Sequence, residues 1–429
     1  MNNYLAKKIF KAGANRRNPK LFLKAEELRS SDFYSLDQYK SIQQEKLKSL
    51  FDFASKNSNF YKHILPVSTS NLDSFSILSG LPVIEKQEFL SKHKQLQCYS
   101  QFDKLFLAET SGSTGQPFKF KKNINWDTMN RATIIRSYWW YAVEAWEKNG
   151  YFWGYSFSDS EILKTKVLDI LQNRFRSFNF NKQDLKRFLD KLKSASYLHG
   201  YSSVIYEVAQ IALELGYTPK DFPQLKLVKG TSEKIYDYYH DPVREAFGHK
   251  IVSEYGAAET GIIAFECPHG KMHVNEEGVI IEEKNGEAIV TNLNAYSIPV
   301  IRYKLGDSII LNDKEQCSCG RKSRIIDEVI GRVGKKILGK IDKYPSLTLY
   351  YIFKNISLSK GVDIQYQGFQ SKKGVLELKI TKSLSKEERS WITEQKRKYF
   401  KNDLDLVLLE NQQIHDKKGK LKDFITELE

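Results

Sequence analysis

The feature that most constrains the fold is a regular alternation of short apolar strands with helical segments over residues 102–256. Strands are predicted at 105–108, 225–228 and 250–252, where apolar residues cluster and turn residues follow. Helical periodicity predicts helices at 37–64, 125–148, 162–176, 182–192, 202–215 and 237–247. Because strands that alternate with helices build layered sheets, we predict an α/β core.

A different pattern begins near residue 270. Short strands are predicted at 278–282 and 286–290, and residues 334–429 read as a separate α+β unit with helices at 347–356 and 386–400 and strands at 375–380 and 404–409. A chain of 429 residues is long enough for two or three domains. We predict a large layered N-terminal domain over 1–333 and a small C-terminal domain over 334–429.

Charge is the main compositional signal. The 67 basic and 52 acidic residues give a net charge of +15, which favours anionic partners. Residues 1–24 carry seven Lys or Arg and no acid, so we treat 1–35 as a basic N-terminal arm. This arm is either a solvated tail or a membrane-surface segment with Tyr4, Leu5, Ile9 and Phe10 near one helical face.

Several protein classes are not expected from this sequence. No run of eighteen apolar residues predicts a transmembrane helix, and the N-terminus lacks the apolar core of a secretory signal. We therefore expect a cytoplasmic protein. Charge alone suggests a nucleic-acid binder, but no aromatic-basic RNA motif or DNA-reading helix supports one, and no nucleic acid is expected as a partner.

The strongest local motif is the hydroxyl- and glycine-rich segment at 110–117, which directly follows an apolar strand. Its glycines let the backbone turn tightly and expose N–H groups, and its hydroxyls add donors around the same concavity. Such a loop suits a pyrophosphate. It is not a Walker loop, because no Gly-Lys-Ser/Thr follows. Its residues are Thr110, Ser111, Gly112, Ser113, Thr114, Gly115, Gln116 and Pro117.

This segment resembles the phosphate-binding motif of the adenylate-forming superfamily. Within that superfamily the chain is similar to the phenylacetate–CoA ligase and coenzyme F390 synthetase branch, and most to the CapK-like capsular polysaccharide proteins. The similarity runs from about Leu36 to Ile425, and includes residues 51–61 and the Leu-Pro-Val-Ile-Glu-Lys stretch at 81–86. It implies a large adenylating domain, a small mobile lid domain over 334–429, and the cofactors ATP and Mg²⁺.

The resemblance also assigns roles to residues of the large domain. Tyr255, followed by Gly256, would lie against the adenine, and Glu259 would coordinate Mg²⁺, which prefers hard oxygen ligands. Asp307 would accept hydrogen bonds from both ribose hydroxyls. The segment from Gly230 to Glu233 matches a loop that lines the adenine pocket, and residues 199–203 match a segment near the acyl pocket.

The resemblance gives two further assignments at and beyond the domain boundary. Arg332 matches the residue that begins the hinge, where it would contact ribose or phosphate. Lys420, near the C-terminus, would be the catalytic lysine that bridges the substrate carboxylate and the α-phosphate. The sequence departs from the family pattern at Ala258, where a hydroxyl residue is usual, and at Gly334-Lys335, where the hinge carboxylate is missing.

A cluster of cysteine and histidine residues between 267 and 319 indicates a metal subregion. Thiolate and imidazole at four positions suit tetrahedral Zn²⁺, and several members of the resembled branch have a similar set. A site with four protein ligands is structural rather than catalytic. The predicted ligands are Cys267, His273, Cys317 and Cys319, with His269 as a competing ligand.

Together these features predict an AMP-forming ligase that activates a carboxylic acid, from a small molecule or a saccharide, as an acyl adenylate. The acyl group then passes to an amine or to CoA, and capsule or surface-polysaccharide synthesis is the implied setting. Two alternatives stay open: an aryl- or acyl-CoA ligase, and a non-catalytic nucleotide-binding partner of a polysaccharide assembly complex. The oligomeric state is not predicted.

Overall fold

The chain divides into two compact units. The computed structural model describes residues 1–66, 73–110, 118–152, 159–177, 182–232, 235, 237–330, 336–362, 364–412, 414 and 424–428. The first unit comprises Met1–Ala108, Phe120–Trp153 and Glu161–Arg332. The second comprises Glu109–Lys119, Gly154–Ser160 and Val333–Glu429.

The helices before the hydroxyl- and glycine-rich segment at 110–117 belong to the first unit. They are α1 (Asn3–Arg17), α2 (Leu21–Ser30), α3 (Leu36–Asn57), α4 (Ser74–Gly80), α5 (Lys86–Ser91) and α6 (His93–Leu96). The amphipathic helix predicted at 37–64 is therefore α3, which ends at Asn57. A capping box between Ser35 and Gln38 fixes its start.

The N-terminal arm forms the packed helices α1 and α2 rather than a solvated tail. Ala6 of α1 is buried, and the Phe10 ring lies 6.4 Å from the Phe22 ring and 6.2 Å from that of Trp146. Tyr4 and Leu5 stay exposed on α1. Peripheral contact of this arm with a membrane stays a prediction. No helix in the described part of the chain is long and apolar enough to cross a bilayer.

An α/β sheet forms the centre of the first unit. After the short pair β1 (Leu105–Glu109) and β2 (Lys119–Asn123) come α7 (Ile124–Trp139), β3 (Asn149–Phe152), α8 (Asp159–Leu171), β4 (Arg174–Arg176), α9 (Lys182–Leu192), β5 (Tyr197–Tyr201), α10 (Ser202–Glu214), β6 (Leu227–Thr231), α11 (Asp237–Phe247) and β7 (Ile251–Ala257). Strands β3 to β7 pair in parallel, because a helix returns the chain between successive strands. The predicted α/β fold class is confirmed.

The remaining strands of the sheet are antiparallel. They are β8 (Gly261–Glu266), β9 (Met272–Val274), β10 (Val279–Lys284), β11 (Glu287–Asn292), β12 (Tyr303–Asn312) and β13 (Ile325–Ile330). Among the described residues the sheet has eleven strands in the order β10-β11-β12-β13-β9-β8-β7-β6-β5-β3-β4.

Besides the prediction at 37–64, two helix predictions extended too far along the chain. The helix predicted at 162–176 ends at Leu171, and Arg174–Arg176 is instead edge strand β4. Asn173 lies between them with φ at 51°, a left-handed conformation that ends a helix and that Asn tolerates. The helix predicted at 125–148 ends at Trp139, and Ala142 then takes a φ of 51°.

The described residues of the second unit form a small mixed sheet, a separate two-stranded pair and two helices. Its elements are β14 (Lys336–Leu338), β15 (Lys343–Pro345), α12 (Leu347–Lys360), β16 (Tyr366–Lys372), β17 (Val375–Ile380), α13 (Lys386–Phe400), β18 (Asp405–Leu409) and β19 (Phe424–Thr426). Four strands pair in the order β18-β17-β16-β19. Ile352, Leu376, Leu378, Ile392 and Phe400 belong to its own buried core.

Candidate nucleotide site and metal centre

Tyr255 and Asp307 meet although their strands are not neighbours. The Tyr255 hydroxyl donates to Asp307 Oδ2 at 3.2 Å, yet β8, β9 and β13 separate β7 from β12. In a flat sheet four strand intervals would span about 19 Å, more than these side chains can bridge. The sheet must therefore curl, and the curl brings two residues predicted to contact one nucleoside into hydrogen-bond contact.

Glu259 lies buried in the turn after β7. It is 6% exposed, and the Tyr303 hydroxyl donates to its Oε1 at 3.2 Å. Tyr303 is the first residue of β12, so the same curl that joins Tyr255 to Asp307 also supplies this contact. A buried carboxylate held by one hydroxyl group keeps lone pairs for a cation, which suits the predicted Mg²⁺.

Lys122 is a candidate site residue that the sequence did not reveal. It lies in β2, with its Nζ 5.2 Å from the centre of the Trp126 ring. Burial lowers the pKa of Lys122 to about 8, opposed by the carboxylates of Asp127 and Glu259. A half-buried ammonium close to Glu259 suits a phosphate. Lysines are common in this chain, so only the fold distinguishes this one.

Two glycines of the predicted site lie where a side chain would collide with its neighbours. A Cβ on Gly256 would lie 2.3 Å from the carbonyl oxygen of Gly261, and one on Gly230 would lie 2.5 Å from Ser202 Oγ. Gly256 accepts no side chain without a backbone shift, whereas a side chain at Gly230 would displace the side chains of Ser202 and Ile251. Gly256 therefore allows β7 to lie close to β8.

Thr110 closes the base of the hydroxyl- and glycine-rich loop. Its backbone N–H donates to the Phe118 carbonyl at 3.0 Å, and its Oγ1 accepts from the Phe118 N–H at 3.0 Å. The ends of the loop are thus held together like a hairpin. Five predicted phosphate-binding residues lie outside the described residues: Ser111, Gly112, Ser113, Thr114 and Gly115.

Three other predicted site residues lie outside the described residues. They are Glu233, Arg332 and Lys420, and their roles stay predictions.

Arg302, in the Ile-Arg-Tyr stretch before Asp307, has a structural role. Its guanidinium pairs with Glu282 at 2.9 Å and donates to the carbonyls of Ser79 and Leu81.

The four predicted zinc ligands meet at one place. The ligand atoms of Cys267, His273, Cys317 and Cys319 all lie within 4.8 Å of one another. Cys267 Sγ is 3.7 Å from Cys317 Sγ, and Cys319 Sγ is 3.3 Å from His273 Nε2. A tetrahedral zinc site with Zn–S bonds near 2.3 Å has S···S edges of about 3.8 Å, so the donor set fits Zn²⁺.

Local turns and a buried imidazole prepare this centre. Turns closed by Gly270 and Gly320 fold the chain back after Cys267 and Cys317. Ser323 Oγ lies 3.1 Å from His273 Nδ1, which leaves Nε2 toward the thiols. Burial and the Arg321 charge lower the pKa of His273 to about 4, so the ring is neutral and able to bind a cation.

His269 does not join the cluster. It is exposed, and its Nδ1 lies 2.9 Å from Ser318 Oγ. The competing-ligand alternative is therefore not the arrangement that the structure forms. Cys98 lies outside the cluster and is buried.

The chain is similar to known proteins in sequence and in fold. The chain is 26% identical over 321 residues to protein CapK of Staphylococcus aureus, covering 68% of this chain and 67% of CapK. No protein-family model matches the chain.

Solved structures with the same fold include 2-hydroxyisobutyryl-CoA ligase in complex with 2-HIB-AMP and CoA, with a TM-score of 0.62 and 17% identity. That match covers 92% of this chain and 91% of the ligase. The postadenylation state of the same ligase with 2-HIB-AMP matches with a TM-score of 0.57 and 16% identity, over the same shares of both chains. The fold likeness predicted from the sequence motifs is confirmed.

Proposed function

The chain is a CapK homologue with the fold of the adenylate-forming acyl-CoA ligases, and from this premise we propose that it activates a carboxylic acid with ATP. The acid's carboxylate oxygen attacks the α-phosphorus, the bond from the α-phosphorus to the β-bridging oxygen breaks, and pyrophosphate leaves. An acceptor nucleophile then attacks the acyl carbon and AMP leaves, while the acceptor loses a proton.

The contact between Tyr255 and Asp307 is the observation that carries this proposal. With the Tyr255 hydroxyl 3.2 Å from Asp307 Oδ2, the two side chains offer an apolar ring face for a base and a carboxylate acceptor for a vicinal diol. Glu259, buried close to Lys122, adds a carboxylate for Mg²⁺ next to a cation for phosphate.

The remaining roles follow the sequence motifs. Residues 110–115 would bind the phosphates, and Gly230 to Glu233 would line the adenine pocket. Arg332 would contact the ribose or phosphate. Lys420 would bring the substrate carboxylate and the α-phosphate together, because a cation between two anions lowers the electrostatic barrier to attack. Residues 334–429 would carry Lys420 as a lid.

The acceptor distinguishes two versions of the function. The resemblance of the motifs to CapK-like capsular polysaccharide proteins motivates an amine acceptor in surface-polysaccharide synthesis, and 2-hydroxyisobutyryl-CoA ligase, which was solved with CoA, motivates a thiol acceptor. The departure at Ala258 and the absence of a hinge carboxylate at Gly334 motivate the alternative of a non-catalytic nucleotide-binding partner. Zinc at the Cys/His cluster would be structural, because four protein ligands leave no open position.

A pyrophosphate-release screen tests this proposal. Aryl acids, amino acids and uronic acids would be offered with ATP and Mg²⁺, and products formed with CoA or with amines would be identified by mass spectrometry. We expect pyrophosphate with at least one acid, and an amide or a thioester according to the acceptor. Tight ATP binding without pyrophosphate from any acid would favour the non-catalytic alternative.

A further inference from the structure

An ionisable row crosses the parallel half of the sheet where apolar residues are expected. Tyr151 of β3 is in register with Arg176 of β4 and His199 of β5, and His199 is in register with Lys229 of β6. Residues in register on parallel strands point to the same face of the sheet. We call Tyr151, Arg174, Arg176, His199, Lys229 and Glu254 the polar row.

The opposite face of the same strands is apolar. Leu198, Val228 and Ile251 are fully buried there, as is usual for parallel strands covered on both sides. On the polar-row face, His199 is 9% exposed and Lys229 is 3% exposed. Burying such groups costs free energy unless partners compensate. The row therefore requires a reason beyond the packing of the sheet.

The groups of the row contact one another closely. The rings of Tyr151 and His199 have centroids 4.5 Å apart, and the guanidinium carbon of Arg174 lies 4.0 Å from the centre of the Tyr151 ring. The guanidinium carbon of Arg176 lies 4.9 Å from the same ring. Arg174, Arg176 and Lys229 thus surround the rings of Tyr151 and His199, with Lys229 on β6 in register with His199.

Asn149 fixes the orientation of His199. Its amide nitrogen donates to the Glu147 carbonyl at 3.0 Å, so its Oδ1 serves as the acceptor for His199 Nε2 and Arg174 Nε, each at 3.3 Å. The proton of His199 is therefore on Nε2, and Nδ1 is an acceptor. Burial and the nearby cations hold the pKa of His199 well below its usual value, so the ring stays neutral.

The charges of the row do not balance. Arg176 forms a two-bond pair with Asp169, both bonds 2.6 Å long, and Lys229 pairs with Glu254 at 2.7 Å. Arg174 is half-buried and has no carboxylate within ion-pair distance among the residues that the structure describes. Counted over the described pairs alone, the unmatched positive charge is the Arg174 guanidinium, whose geometry suits a carboxylate or a phosphate.

The row ends beside residues of the proposed nucleotide site. The Thr231 hydroxyl, in the loop proposed to line the adenine pocket, donates to Glu254 at 3.1 Å. Glu254 also immediately precedes Tyr255 in β7, with the two side chains on opposite faces of the strand. From there the row leads outward through β6, β5 and β3 to Arg174. An acid whose carboxylate lies at the α-phosphate would extend its remote end along this line.

We propose that the polar row binds the remote part of the acid substrate, and that this acid carries a second anionic group together with hydroxyl groups. Arg174 binds the second anion, and His199 Nδ1 accepts a hydrogen bond from a hydroxyl of the substrate. Dicarboxylic acids and phosphorylated sugar acids belong to this class, whereas aryl and alkyl acids do not. The assignment rests on the proposed adenylating function.

Matched pairs of acids test the assignment. Each pair differs only in the second anionic group and is long enough to reach from β7 toward Arg174, for example sebacate against decanoate, or a sugar acid phosphate against the free sugar acid. Binding would be measured by calorimetry in the presence of a non-hydrolysable ATP analogue, and turnover by pyrophosphate release. We expect wild-type protein to prefer the doubly anionic member by about tenfold or more, since a bond between charged groups is worth that much.

Three variants separate a specificity role from a structural one. Arg174→Gln should remove the preference, Arg174→Lys should retain part of it, and the control Lys166→Gln, on the exposed side of α8, should leave it unchanged. Equal binding of both members by wild type, or an unchanged preference in Arg174→Gln, would overturn the assignment. Pyrophosphate from aryl acids without such a preference would overturn it while the proposed function stands. Arg174-dependent binding without pyrophosphate would support it and contradict the proposed function.

Discussion

At the residue scale, the account depends on Asp307. Its Oδ2 accepts from the Tyr255 hydroxyl, so the carboxylate is already oriented before a nucleotide binds. An oriented acceptor loses less entropy on binding than one that must be ordered. Asp307 is thus expected to contribute to nucleotide affinity rather than to the chemical step.

Replacing Asp307 tests this role. Asp307→Asn keeps the shape but weakens acceptance of two ribose hydroxyls, so ATP affinity should fall about tenfold or more, as expected for loss of a charged hydrogen bond. Asp313→Asn, an exposed neighbour after β12, is the matched control and should bind ATP like wild type. Titration calorimetry measures both. An unchanged affinity in Asp307→Asn would remove the ribose assignment.

Motif residues could be named from the sequence, but their neighbours could not. Tyr255, Glu259 and Asp307 were predicted by resemblance, whereas their hydrogen bonds depend on a curl of the sheet that no local pattern encodes. Lys122 and Arg174 are single basic residues in a chain with 67 of them, and only their surroundings distinguish them.

At the scale of elements, periodicity predicted the cores of helices and strands well. The bounds predicted for α9, α11, β17 and α13 agree with the structure. Two of the errors arose where one residue takes a left-handed conformation, as Asn173 does between α8 and β4 and Ala142 does after α7. The pairing order of the eleven described strands could not be predicted, because pairing joins residues far apart in sequence.

The two cysteine-bearing loops, after β8 and after β12, are expected to bind zinc together. Purified protein should contain about one zinc per chain, and Cys317→Ser should lose it, because three ligands hold zinc less well than four. Cys98→Ala is the control and should keep the metal, since Cys98 is outside the cluster. Elemental analysis measures both proteins.

The zinc content should also depend on pH in a defined direction. Zinc binds thiolates, and burial raises the pKa of Cys267 to about 12, so protons compete with the metal. Zinc should therefore be released as the pH falls, and its release should lower the melting temperature because the metal binds only the folded chain. Zinc-free protein with freely titratable thiols and an unchanged melting temperature would contradict the site.

At the scale of the whole molecule, the chain has two compact units, and the second contains its own core and the C-terminal segment with Lys420. If the second unit moves during the reaction, a lysine that it carries would contact the nucleotide during adenylate formation and not during acyl transfer. The two half-reactions should therefore respond differently to its removal.

The most direct test of the adenylation account compares wild type with Lys420→Ala in each half-reaction. Acid-dependent exchange of pyrophosphate into ATP should fall about a hundredfold or more, since one preorganised charge is lost. Acyl transfer from chemically made acyl adenylate should be much less affected, and Lys422→Ala, a lysine two residues away, should leave both steps near wild type. ATP cleaved to ADP and phosphate, or exchange in Lys420→Ala equal to that of wild type, would contradict the account.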